Sequence, residues 1–179
     1  MLNRRLIELF RWVDPGPAST HLISDTSAWW GDPDVLTQVG PALAGLFPDA
    51  RPTLVIAPEA TGLMLGPLVA VAAGVGFLPA YKDGGERRRV APMRWAQTPT
   101  DYRGRRLRIG VDGRRLHTGD RVLLVDDWVD TGAQLDALCR VLRDVGAELV
   151  GTAALVATCT PDVGERLRLR ALLTDEHLP

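Results

Sequence analysis

The sequence predicts an α/β fold, with a mostly parallel central sheet carrying helices on both faces. Short apolar runs at 53–57, 76–81, 121–125 and 148–157 are the first sign. Several are continuous rather than alternating, as expected of strands covered on both sides. Helical patterns at 62–73 and after Thr131 separate them, and strands alternating with helices imply right-handed βαβ units. No internal repeat or linker divides the chain, so residues 1–179 read as a single domain.

In chain order, residues 2–13 read as an amphipathic helix closed by the turn Asp14-Pro15-Gly16-Pro17. A second helix starts at Asp32-Pro33, with Asp as N-cap and Pro at the first helical position, and runs to about Phe47. The strand TLVIA (53–57) leads into an apolar helix over 62–73 that ends at Gly74. A strand over 76–81 follows. From Lys82 to about Gly104 periodicity is lost while Pro, Gly and charge accumulate, which predicts a long mobile loop. Residues 105–111 alternate like an exposed hairpin strand, Leu107, Ile109 and Val111 inward. Residues 121–125 form a central strand. The helix after Thr131 places Leu135, Leu138, Cys139 and Leu142 on one face and stops at Gly146, before the strand 148–157.

Composition is that of an ordinary globular protein, 46% apolar and 24% charged with net charge −1, so no global bias toward nucleic acid or anionic membrane exists. MLNRRLIELF has no signal-peptide core, and no uninterrupted apolar run reaches the length of a membrane span, so the expected location is cytoplasmic with no membrane partner. Cys139 and Cys159 lack CxxC or zinc spacing and read as buried free thiols. Local charge is uneven. Ten arginines against Glu86, Asp101 and Asp112 give +7 over residues 86–115. Of 21 basic residues, Lys82 is the single lysine.

The stretch VLLVDDWVDTGAQLDAL (122–138) carries the chemistry. In an open parallel sheet ligands bind beyond the carboxyl ends of the strands, where Asp126 and Asp127 fall. The turn from Asp130 to Gln134 opens the next helix, whose unpaired N–H groups and dipole attract an anion. Gly132 lets the backbone curl around a phosphate and the Thr131 hydroxyl can donate to it. Acids beside an anion site suit a ligand with vicinal hydroxyls or a divalent cation, and a sugar phosphate has both features. The bland alternative is an acidic helix N-cap on an ordinary strand.

This stretch resembles the phosphoribosyl pyrophosphate (PRPP) signature of the type I phosphoribosyltransferases, an apolar strand, two acids, two mostly apolar residues and a Thr-Gly turn. The resemblance implies that Asp126 and Asp127 hold the ribose hydroxyls, and that Asp130, Thr131, Gly132, Ala133 and Gln134 hold the 5′-phosphate. Gln134 departs from the usual Thr or Ser. VIAPEATGLMLG (55–66) is similar to the pyrophosphate loop of adenine-type members, often a cis-peptide turn. Glu59, Ala60 and Gly62 match, whereas Thr61 stands in place of Arg. Lys82 resembles the family lysine that reaches pyrophosphate, and a compact ammonium in a tight polyphosphate site resists exchange for Arg. DYRGRRLRI (101–109) is similar to the mobile catalytic lid of adenine-type members, with Asp101 for its Glu and Tyr102 retained.

What the resemblance implies is transfer of the 5-phosphoribosyl group from PRPP to a nucleobase, a purine in expectation, with release of pyrophosphate. Mg²⁺ would be held through PRPP, water-bridged to Asp126 and Asp127 with no direct protein ligand. A homodimer and a hood over the base, built from residues 1–50 and 158–179, belong to the same expectation. Asp130 and Asp101 are the catalytic candidates. In hypoxanthine-guanine members the turn also reads Asp-Thr-Gly and its Asp faces the purine N7, whereas adenine-type members carry Ala. A different class remains open, a catalytically silent PRPP or nucleotide sensor whose +7 segment binds RNA. Against it, no DNA-binding module precedes the domain, so nucleic acid is not the expected partner. A nucleotide-metabolism enzyme with an unusual acceptor is a third reading.

Overall fold

The computed structural model describes residues 1–17, 22–84, 92–99 and 107–179. Its centre is a seven-stranded sheet in the order β5-β6-β4-β3-β7-β8-β9. The strands are β3 (Leu54–Pro58), β4 (Gly76–Lys82), β5 (Met93–Gln97), β6 (Arg108–Asp112), β7 (Arg121–Val129), β8 (Glu148–Ala157) and β9 (Leu169–Thr174). From β4 through β9 neighbours run parallel, while β6 and β5 join antiparallel at the other edge.

Helices cover both faces, as expected. On one, α1 (Leu2–Leu9), α3 (Pro33–Gly45) and α4 (Gly62–Ala73) bury Leu6, Val39 and Leu65 against Leu123 and Leu155. On the other, α5 (Ala133–Val145) and α6 (Pro161–Arg166) bury Leu138, Leu142 and Val163 against Ile56, Leu124 and Val111. Each large apolar side chain so buried contributes roughly 1.5–3 kcal/mol. The α3–α4 crossing is close because Gly40 has no side chain, a Cβ there lying 2.4 Å from the Leu68 carbonyl oxygen. Asp32 caps α3 by accepting from the Asp34 and Val35 amides at 2.9 and 3.0 Å.

Several expectations need correction. The first helix stops at Leu9, and Arg11–Val13 is β1, antiparallel to β2 (Ile23–Asp25) in a separate ribbon. All three β1 residues are exposed, so no helical stripe remains to bury beyond Phe10. Of the predicted loop 82–104, residues 85–91 and 100–104 lie outside the described residues, and the described parts are more regular than their Pro and Gly content suggested. Lys82 is the last residue of β4, and Met93–Gln97 pairs with β6 along its whole length. Its Met-Arg-Trp-Ala-Gln alternation was obscured by the surrounding charge. β6 is no exposed hairpin strand either, since it lies between β5 and β4 with Ile109 and Val111 fully buried.

The central strand also outruns the apolar run 121–125. β7 extends to Val129 because Trp128 and Val129 still pair with Val156 and Ala157 of β8. Beyond Thr158, α6 and β9 follow, and β9 extends the main sheet as an edge strand rather than standing over it. A short helix, α2 (Ser27–Trp30), buries Trp29, whose indole N–H donates to the Leu6 carbonyl at 2.9 Å. Among the described residues, no helix is long and apolar enough to cross a membrane. Cys139 and Cys159 are free thiols, each half-buried.

Candidate active site

Parallel neighbours β4, β3 and β7 send their carboxyl ends to one edge of the sheet. Register makes this concrete. Pro58 pairs with Ala80, and two residues past the Ile56–Leu124 pair β3 reaches Pro58 while β7 reaches Asp126. The loop 59–62, Lys82 and the acid pair, scattered over nearly seventy residues of sequence, therefore meet at one rim.

Each part is held by specific contacts. The Glu59–Ala60 peptide is cis. The Glu59 amide donates to the Ala80 carbonyl at 2.8 Å, and its Oε1 accepts from the Lys82 amide at 2.5 Å. Glu59 thus ties the loop to the end of β4 and spends its carboxylate on the protein. α4 begins right after, so its first amides line the turn.

Asp126 is the most perturbed group at the rim. Burial, then the Asp127 charge and a side-chain hydrogen bond with Asp127, push its carboxyl well above the usual carboxylate range. The Asp127 amide, which donates to Asp126 Oδ1 at 3.0 Å, and the Lys82 charge pull the other way. Two adjacent carboxyls near one ammonium form a site short of positive charge. Such oxygen donors fit a hydrated divalent cation or vicinal hydroxyls. Among the described residues, no three His, Cys, Asp or Glu side chains make a metal cage.

The turn after β7 lines a cleft of about 170 Å³ together with Asp126, Trp128 and Asp130. Gly132 sits at φ +68°, in the left-handed region open to glycine. A Cβ on it would lie 2.7 Å from Leu167 Cδ1 and 2.9 Å from Val163 Cγ1, so α6 presses directly on the turn. Thr131 Oγ1 accepts from the Ala133 amide at 3.4 Å and is solvent-exposed. The Gln134 side-chain oxygen is buried without a hydrogen-bond partner among the described residues. Asp130 is exposed at the mouth.

Sequence reasoning passed over Trp128. Its indole N–H donates to Thr158 Oγ1 at 3.0 Å, and its ring lies 6.1 Å from Trp12 and 6.0 Å from Phe10. The N-terminal ribbon thereby forms an aromatic wall beside the cleft. A tryptophan set between acids at a strand end was the available signal; Thr158 had none, while α6 was announced by Thr160 as N-cap with Pro161 and Asp162 in its first turn. Asp101 and Tyr102 lie outside the described residues.

Three comparisons bear on this geometry. A family model described as a phosphoribosyl transferase domain matches residues 33–167. The adenine phosphoribosyltransferase of Myxococcus xanthus is 32% identical, across 97% of this chain and 91% of its own. That of Streptomyces avermitilis is 32% identical, across 99% and 93%. Among solved structures, APRTase from Giardia lamblia complexed with 9-deazaadenine superposes with TM-score 0.84 at 24% identity, over 98% of each chain. The Rhodothermus marinus adenine phosphoribosyltransferase superposes with TM-score 0.81 at 24% identity, over 97% of this chain and 98% of its own. At that identity the two structures speak for the fold.

Proposed function

Because this chain belongs to the phosphoribosyltransferase family, we propose that it transfers the 5-phosphoribosyl group of PRPP to N9 of a purine, adenine first among them, releasing pyrophosphate. The observation that carries this reading is the convergence at one rim of the acid pair, Lys82, the 59–62 loop and the Gly132 turn. The curated relatives named adenine phosphoribosyltransferase match along nearly their whole length, which favours an enzyme over a silent sensor.

The roles follow from chemistry. The amides of Gly132, Ala133 and Gln134 open α5 and would receive the 5′-phosphate, with the Thr131 hydroxyl at its side. Asp126 and Asp127 would accept from the ribose 2′- and 3′-hydroxyls. Lys82 and the backbone of Ala60, Thr61 and Gly62 would hold pyrophosphate, while Glu59, engaged by the Lys82 amide, positions that loop. Mg²⁺, held through PRPP and water-bridged to Asp126 and Asp127, would neutralise the leaving group. As the C1–O bond breaks, positive charge grows on the ribose and the N9 lone pair forms the new bond to C1. The ring proton must then leave, and the Asp130 carboxylate, which lines the cleft, would accept it from N7. Asp101, on the lid of the family pattern, is the second catalytic candidate. Trp128 and the exposed Trp12, backed by the buried Phe10 ring, suit a planar base.

A homodimer fits this reading, and the exposed Met64 and Val71 on α4 offer it an apolar face. A cytoplasmic site suits a protein with two free thiols.

The deciding assay incubates the protein with PRPP, Mg²⁺ and each nucleobase in turn, measuring pyrophosphate. Release with adenine supports the proposal, and PRPP binding without release from any base refutes it in favour of the sensor. Asp130→Ala is expected to lower kcat about a hundredfold or more with PRPP KM unchanged, as for loss of one general base. Unchanged purine turnover by that variant removes Asp130 from the chemistry.

A further inference from the structure

Behind the phosphate turn, on the far flank of α5, lies a second groove of about 530 Å³ between α5, the start of β8 and the α6–β9 corner. Its floor is apolar, formed by Leu142, Ala147 and Leu149. Four guanidinium side chains, those of Arg140, Arg143, Arg166 and Arg168, line it. Asp136, Cys139, Arg140 and Arg143 follow one another at i, i+3, i+4 and i+7, which puts them on one face of α5.

Among the described residues the arginines of this groove outnumber the acids that line it, and Asp162, 3.7 Å from Arg166, adds to the pairing of that one arginine only. The two carboxylates of the groove are already engaged. Asp136 accepts from Arg166 Nε and Nη2 at 3.0 and 2.9 Å, and Glu148 pairs at 2.6 Å with Arg121, which lies outside the groove. Arg168 donates through Nη1 to the Leu149 carbonyl at 2.9 Å and Arg140 through Nη2 to the Gln97 carbonyl, which leaves each of them further N–H donors. The Arg143 guanidinium has no hydrogen bond or ion pair to any described residue. Cys139 supplies no compensating anion, because burial pushes its thiol up to about 11 against the pull of the surrounding arginines.

We propose that this groove is a second anion site that takes a small polyphosphate-bearing ligand. Guanidinium forks match phosphate oxygens two at a time, and three arginines from two separate elements allow neighbouring phosphates to be bridged. The volume falls in the range of small-molecule sites, and the apolar floor has room for a nucleoside attached to the phosphates. The site lies beyond the reaction proposed above and does not depend on it. It is also connected to that reaction. Arg166 fastens α6 to α5, and Val163 of α6 with Leu167 at its C-cap packs against Gly132, so occupancy beside Arg166 reaches the phosphate turn.

Titration calorimetry with inorganic tripolyphosphate, ATP and adenosine tests the site, with PRPP and Mg²⁺ saturating the reaction cleft and no base present. Tripolyphosphate and ATP are expected to bind one per chain and adenosine not at all. Arg143→Glu should weaken both at least tenfold and Arg168→Ala several-fold, while kcat and PRPP KM without added polyphosphate stay at wild-type values. Equal affinities for the two anions assign the site to polyphosphate alone, and a tenfold advantage for ATP places the nucleoside on the apolar floor. Absence of binding with PRPP present, or binding indifferent to Arg143→Glu, overturns the proposal. Binding confined to RNA overturns it too and makes the groove part of a nucleic-acid surface.

Discussion

Replacing Asp126 with Asn is expected to lower kcat/KM for PRPP about a hundredfold and, at the same time, to raise the melting temperature of the ligand-free protein. The first effect follows from losing a charged acceptor for ribose hydroxyls, since a hydrogen bond to a charged group contributes about 1.5–3 kcal/mol. The second follows from where the carboxyl sits. Burial is the main cause of its raised pKa, with the Asp127 charge behind it. The folded protein therefore holds the Asp126 proton more tightly than the unfolded chain does. The contribution of this group to stability is fully present below its unfolded pKa, near 3.8, and is lost as pH rises through the folded value. Asn has the same shape, keeps an oxygen for the Asp127 amide and never ionises. The stability gap between variant and wild type should thus widen from about pH 4 upward, which melting curves taken across pH 4–8 would show. A variant less stable than wild type at pH 8 would mean that the carboxylate is compensated in the free protein.

Gly132→Ala is expected to destabilise the protein by about 3 kcal/mol and to raise PRPP KM more than tenfold. Two costs combine. Alanine at φ +68° pays roughly 1–2 kcal/mol for a left-handed conformation. Its Cβ would also stand 2.7 and 2.9 Å from Leu167 and Val163, an overpacking of roughly 1–3 kcal/mol. Any relief must move α6 or open the turn whose amides face the 5′-phosphate. The pair Gly132→Ala with Val163→Ala separates the terms, because it relaxes part of the contact and leaves the backbone conformation unchanged. Thermal melts should show a smaller loss for the pair than the two single losses sum to. Strict additivity would mean that α6 does not bear on the turn.

The parts of the fold that were legible in the sequence are those whose local signals agree. Asp32-Pro33 starts α3, the apolar helix 62–73 ends at Gly74, and β8 covers the predicted 148–157. What was misread shows where local signals lose to partners. β7 outruns its apolar segment because β8 offers backbone groups as far as Ala157, so Asp126 and Asp127 are strand residues with a pleat between them. β5 looked like loop because Pro, Gly and arginines surround it, and β6 supplies the ladder that its own sequence does not announce. β1 follows a helix without a break because Phe10 turns extended to bury its ring between Trp12, Trp29 and Trp128.

By itself the sequence determined the class of chemistry: two acids after an apolar strand, then a Thr-Gly turn opening a helix, is a local arrangement that a phosphorylated sugar can satisfy. Only the tertiary structure decided how that arrangement is set. Strand register brings Glu59, Lys82 and Asp126 to one rim, and the packing of α6 fixes Gly132. Burial between neighbouring strands raises the Asp126 carboxyl, and the fold of the N-terminal ribbon brings Trp12 to Trp128. The division has a physical cause. Turn and cap chemistry acts between residues a few positions apart, whereas desolvation, register and close packing are made by residues that are neighbours only after the chain has folded.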